Sequence, residues 1–401
     1  MSSPGCRPLL VGLLSLAFSW SLPLLAVADG RTSPQHSMEI RSTEKLDDWL
    51  QGDRERVAVD HSVINGAWQP APFASRHFDL TRQQIRAQWP QLMRALLIPY
   101  PSAEYLQLRI ETFPELREEL GENFDGDYQR LSNEIVHAWR LFLRGDFRAA
   151  KEHGMRLGAY GKMPAYFAQI LQAIYLTDNI TEKHQLLQDA ANQVGNYAKV
   201  LKKMEGDPQF AEDYVTLRLG YAYAIARIAE DVSPIVAVAR NYLFKISGAA
   251  NDVLDIHERH PVGLAFRAGI DANLIRVMGK AVGRLTFGAR QSRARDYFEE
   301  SFREVGDIAI IHYEFANSLL YMNKLRDAQE ALAHLRVASS TPPTFAMEAL
   351  DSMYANKRLR EVELLLASGR SFRAYERHRR RYVGKSDENL YSVLRPPYQP
   401  H

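Results

Sequence analysis

AIIHYEFANSLLYMNKLRDAQEALAHLRVASST, residues 309 to 341, reads as two helices joined by one short turn. Phe315 and Leu319 lie at helical spacing before Met322-Asn323, and Leu325 and Leu332 follow it, so each half presents one apolar flank. Ala316 and Ala328 are small where two helix backbones would touch, while the four larger residues fill the space between neighbouring units. A large side chain at Ala328 would overpack such a hairpin.

The pattern recurs. Ala294, Ala328 and Val362 follow one another at a constant interval, Phe298, Leu332 and Leu366 repeat it, and Leu325 returns as Leu359 after the same step. That step, about 34 residues, suits a helix-turn-helix unit that brings the chain back to an equivalent position in a stack. On these residues the chain resembles the tetratricopeptide-repeat superfamily. The resemblance implies an all-α fold of antiparallel helical hairpins stacked as an α-solenoid, and says more about fold than function. In such a stack the first helix of each hairpin lines the concave surface, which makes Tyr313, Asn317 and Tyr321 candidate contacts for a peptide. The family's clamp for a terminal carboxylate uses a lysine where this chain has Tyr313, so that recognition mode does not carry over.

Working outward, a second unit is visible from Ile135 to Leu157, with Ala138 and Leu141, a turn at Gly145-Asp146-Phe147, and Ala150; Gly154 stands where a large residue is expected. Further breaks fall at Lys162-Met163-Pro164, Gly206-Asp207-Pro208, Ser233-Pro234, His260-Pro261, Gly288, Gly306-Asp307, Asn323-Lys324 and Pro342-Pro343. The stretch from His260-Pro261 to Tyr297-Phe298 is weakly similar to the divergent repeats of the regulator-of-microtubule-dynamics type. Residues 79–368 thus form the expected helical domain, with Thr81 as a helix cap and Pro90 as a kink or stop. Residues 29–78, punctuated by Gly and Pro, read as a linker with one helix near Thr43 to Leu50, and residues 369–401 as a basic C-terminal helix and tail.

Met1 to Pro8 carries Arg7, Leu9 to Leu25 is almost unbroken apolar sequence, and Ala26-Val27-Ala28 offers small residues for signal peptidase. Residues 1–28 therefore read as a signal peptide cleaved after Ala28, which implies a periplasmic or secreted protein. Leu9 to Ala28 could just span a bilayer as an uncleaved anchor, a reading weakened by Ser15, Ser19, Ser21 and Pro23. Cys6, the only cysteine, would leave with the signal, removing thiol chemistry from the mature chain. A net charge of +2 from 50 basic and 48 acidic residues gives no global electrostatic reason to expect nucleic acid.

No Gly-x-Ser-x-Gly elbow, phosphate-cradling glycine loop or His-Glu-x-x-His pair occurs, and neither an enzymatic activity nor a cofactor nor a metal is expected. His257 and His260 could share a helical face, but Pro261 makes the pair a polar helix terminus. Asn123, Asp125, Asp127 and Glu134 have calcium-loop spacing, yet Tyr128 occupies the position that needs glycine; Asp125 or Asp127 is better read as a helix cap. Arg276, Lys280 and Arg284 recur every four residues, a cationic stripe along one helix suited to an anionic partner. Arg370, Arg373, Arg377, Arg379, Arg380 and Arg381 form a second basic cluster, interleaved with Phe372, Tyr375 and Tyr382, for peripheral contact with an anionic envelope surface. The leading expectation is a non-catalytic scaffold that binds a protein or peptide in a helical groove. The alternatives are a lipid or small-ligand carrier using Tyr214, Tyr221, Tyr223 and Tyr242, or an accessory module of an envelope glycan-processing system.

Overall fold

The computed structural model describes residues 59–118, 120, 124–202, 207, 210–232, 236–237, 240–369 and 371–372. The expected signal peptide, the helix near Thr43 to Leu50, Asn123, the Ser233-Pro234 break and nearly all of the basic tail lie outside them. The described residues are all-α, with no strand among them. The principal helices are α1 Arg82–Leu92, α2 Ala103–Thr112, α3 Tyr128–Leu143, α4 Phe147–Arg156, α5 Lys162–Leu171, α6 Ile180–Leu201 and α7 Ala211–Asp231. They continue as α8 Tyr242–Ile256, α9 Pro261–Met278, α10 Lys280–Phe287, α11 Gln291–Val305, α12 Ala309–Asn323, α13 Ala328–Ser340 and α14 Ala346–Ala367.

Local chemistry sets the ends. Thr81 and Gln84 form a reciprocal capping box on α1, and the helix stops two residues after Pro90. Asp127 accepts from the Arg130 backbone N–H at 2.9 Å to cap α3, while Asp125 pairs with Arg130 and Glu134 with His153. Gly145, Gly288 and Gly306 take positive φ at turns, where a side chain would strain the backbone. The break expected at Lys162-Met163-Pro164 comes slightly earlier, in the 3-10 turn Gly158–Gly161. Pro164 instead sits in the first turn of α5, where its missing N–H is no loss. His260 caps α9 through Nδ1, which accepts from Gly263 N–H at 3.3 Å; burial, then the neighbouring His257, lowers its pKa to about 3, keeping the acceptor nitrogen bare.

Consecutive helices pack on one another (α3 on α4, α4 on α5, α6 on α7, α7 on α8, α12 on α13, α13 on α14), and α3 also touches α5, α9 touches α12, and α12 touches α14. Ala294, Ala328 and Val362 are all buried, as are Phe298 and Leu332. Yet the third copy of the period is not a hairpin. Lys357 and Arg358, one full period beyond the Asn323-Lys324 turn, lie inside the 22-residue α14, whose sequence is rich in Ala, Leu, Met, Glu and Arg and has no Gly or Pro to stop it. A second correction concerns the cationic stripe: Gly279, at φ +83°, ends α9, so Arg276 belongs to α9 and Lys280 and Arg284 to α10.

Part of the segment expected as linker is tied down. Arg148 of α4 donates to the carbonyls of Gly66 and Asn65 and its guanidinium faces the Trp68 ring, and Arg140 of α3 binds Asp79 at 2.7 Å. At the crossing of α4 and the turn before α5, Gly154 explains its own presence. A Cβ there would stand 2.3 Å from the Gly161 carbonyl oxygen, and one at Gly161 would stand 2.0 Å from that of Gly154. Because both obstacles are backbone, Gly154→Ala should destabilise the fold by roughly 1–3 kcal/mol or more, read as a lower urea midpoint with an unchanged m-value.

Candidate functional site

One pocket among the described residues is built from elements distant in sequence. Ile98, Pro99 and Pro101 precede α2, which adds Tyr105, Leu106 and Arg109; α3 adds Ile135 and Trp139, the Gly158–Gly161 turn adds Ala159 and Tyr160, and Met163, Tyr197 and Asp213 come from α5, α6 and α7. It is a narrow cleft, about 430 Å³ when the open solvent at its mouth is counted. The approach is held by two short-range contacts: Trp89 Nε1 donates to the Ile98 carbonyl at 2.7 Å, and Ser102 caps α2 by accepting from Tyr105 N–H at 3.1 Å.

The walls are apolar and the floor is charged. Arg109, 5% exposed, donates through Nη1 to Asp213, and its guanidinium lies 4.8 Å from the centroid of the Tyr160 ring. Tyr105 Oη donates to the same carboxylate at 3.3 Å. Burial opposes the charge on Arg109, but Asp213 and the surrounding tyrosines outweigh it and raise its pKa, so the guanidinium stays charged. Burial and then Asp213 raise the pKa of Tyr105, which keeps its proton as a donor. Lys162 Nζ stands 4.6 Å from the Tyr197 ring centroid. Arg109 Nε is buried and has no hydrogen-bond partner among the protein groups. The arrangement suits a neutral group with an apolar end. A second carboxylate would meet Asp213.

The residues singled out from sequence fall elsewhere, in two groups. Tyr313 and Asn317 of α12 are buried: the Tyr313 ring packs on Tyr354 of α14, centroids 5.1 Å apart, and Asn317 Oδ1 accepts from Arg358 Nε at 2.9 Å. Tyr321 is half-buried beneath Arg276, which lies 4.4 Å from its ring centroid; Lys280 donates to Asn323 at 2.7 Å, and Arg284 is exposed. The structure thus brings Arg276, Tyr321 and Lys280 to one end of α12 and takes Tyr313 and Asn317 into packing with α14. Of the tyrosines of the carrier reading, Tyr214, Tyr221 and Tyr242 are buried among helices, and Tyr223 is half-buried with its hydroxyl accepting from Arg227.

The pocket is not legible in the sequence because five helices and two connecting segments between residues 98 and 213 contribute to it. One signal was present: Arg109 sits between Leu106 and Ile110 on the apolar stripe of α2, and a cation there needs a buried partner.

Beneath α14 lies a second polar cluster. Gln172–Leu176 continues α5 as a π-helical turn and presents Tyr175, whose hydroxyl donates to Asp351 of α14. Arg227 of α7 pairs with Glu314 of α12 and with Glu230 at 3.0 Å, and Arg94 binds Glu348 at 3.0 Å. Burial raises the pKa of Asp351 to about 7, opposed by the Tyr175 hydroxyl and reinforced by Glu348. Comparison with protein-family models, curated proteins and solved structures finds no match to this chain.

Asp351 makes the stability of the fold fall as pH rises from acid to neutral. Its pKa of about 7 stands above the ordinary 3.8, so its contribution is full below the ordinary value and is lost as pH rises through about 7. Asp351→Asn keeps an acceptor for Tyr175 and removes the charge. It should match the parent at about pH 4 and below and exceed it increasingly up to about pH 7, by about 1–3 kcal/mol beyond that, a divergence visible in melting temperatures from pH 4 to 8.

Proposed function

We propose that this chain is a non-catalytic helical scaffold that works outside the cytoplasm by holding a protein or peptide partner. Its pocket between α2, α3, α5, α6 and α7 seats one apolar side chain of that partner. The observation that carries this reading is the pocket itself, with apolar walls and an ion pair already neutralised at its base. Supporting it, consecutive helices fold back on one another and alternate ones touch, in keeping with tetratricopeptide-like hairpins laid side by side. The export reading rests on residues 1–28. No helix among the described residues is long and apolar enough to cross a membrane.

Crosslinking in intact envelopes followed by recovery of this chain should yield one protein in stoichiometric amount. Tyr105→Ala, which opens the pocket rim and leaves the Arg109–Asp213 pair in place, should reduce that recovery at least about tenfold with an unchanged helical spectrum. Recovery unaffected by Tyr105→Ala would remove the pocket from the interface. A bound lipid or metabolite in native mass spectra, without a protein, would replace the scaffold by a carrier.

A further inference from the structure

Helix α10 is inside out. Gly283, its one buried residue, faces α9 and Ala289, where a Cβ would meet Leu274 and Ala289 at 3.6–3.7 Å. The large apolar residues face water instead: Leu285 is 86% exposed, Val282 48%, and Val277 and Met278 at the end of α9 are 56% and 38%. Glycines at positive φ bracket the helix, Gly279 at +83° and Gly288 at +64°, and its sustained packing is on α9 alone. Isolated exposed apolar side chains need no explanation, but four on adjoining turns make a patch that stays in water only at a cost.

Along the chain, the charge flanking the patch has one sign. From Ala272 to Arg295 there is no Asp or Glu, while Arg276, Lys280, Arg284, Arg290, Arg293 and Arg295 are all basic. Arg293 is taken up by Asp271, and Arg295 by Asp327 and Glu330. Lys280, by contrast, donates to the neutral amide of Asn323, and the side chains of Arg284 and Arg290 are exposed with no carboxylate against them among the described residues.

We propose that the α9–α10 tip docks on an anionic phospholipid surface, with Val277, Met278, Val282 and Leu285 entering the headgroup–acyl boundary and Lys280, Arg284 and Arg290 binding lipid phosphates. A protruding apolar knob ringed by cations matches that interface, because the knob gains by leaving water while each cation meets the negative surface potential. A protein partner would need a cavity shaped to receive Leu285, whereas lipid chains part around it. This site is separate from the pocket, so either assignment stands if the other fails.

The test reads insertion at the tip itself. The full chain carrying C6S and L285C, labelled with the fluorophore NBD at residue 285, is mixed with vesicles of phosphatidylcholine alone or of phosphatidylcholine with phosphatidylglycerol as roughly one lipid in three. Emission should shift to the blue and rise at least about threefold on the anionic vesicles, and doxyl-labelled lipid should quench it. A label on Q129C, on the exposed face of α3, should report no change, and K280E with R284E and R290E should weaken the response at residue 285 at least about tenfold. Unchanged emission at residue 285, or an equal response on zwitterionic vesicles and in the charge-reversed variant, overturns the proposal. So does a lipid-independent change that grows with protein concentration, which would assign the tip to a second copy of the chain. A response to soluble polyglutamate but not to vesicles would assign it to an acidic protein and overturn it equally.

Discussion

Burying α14 is the constraint on which the remainder of the structure depends. The helix takes Glu348, Asp351 and Arg358 into the interior along with Leu350, Val362 and Leu365, and each of the three ionisable groups requires a partner there. The partners come from three separate places: Arg94 just after α1, Tyr175 on the π-helical turn after α5, and Asn317 on α12. Buried polar pairs add little net stability over a well-packed apolar core, but removing one partner costs about 3–5 kcal/mol because the other is left uncompensated. Their effect is therefore on arrangement. A shift of α14 by one turn would keep its apolar contacts roughly in kind and lose all three polar ones.

That constraint also separates what the sequence disclosed from what it did not. Helix ends governed by local chemistry were legible, as at Thr81, Asp127, Gly145, Gly288 and Gly306, because a capping side chain or a positive φ is decided within a few residues. The long-period recurrence was legible as burial: Ala294, Ala328 and Val362 all face the interior. It was not legible as topology. A period records which residues are covered, and a continuous helix covers Val362 as well as a hairpin does. The break at Gly279 escaped notice because Arg276, Lys280 and Arg284 keep helical spacing across it, and spacing alone carries no backbone torsion.

Tyrosines show the same limit from another side. Tyr313 and Tyr105 are alike as residues, and in sequence Tyr313 had the better claim to contact a ligand. The difference lies in what covers them. Tyr313 meets Tyr354 of α14, whereas Tyr105 stands at the rim of a pocket and is tethered through its hydroxyl to a carboxylate 108 residues away. Neither neighbour is visible from the local pattern, although a lone Arg109 on an apolar stripe was a fair sign that something charged had to be answered from afar.

Because Arg94 and Glu348 are 254 residues apart, and Tyr175 and Asp351 are 176, the molecule cannot be completed in the order in which it is made. The early helices can coil as they emerge, but their seats for α14 stay open to water until the final third of the chain arrives. Such distant pairings close slowly, and the waiting surface is apolar. Until both ends are present together, the first half of such a chain has nothing of its own to cover that surface.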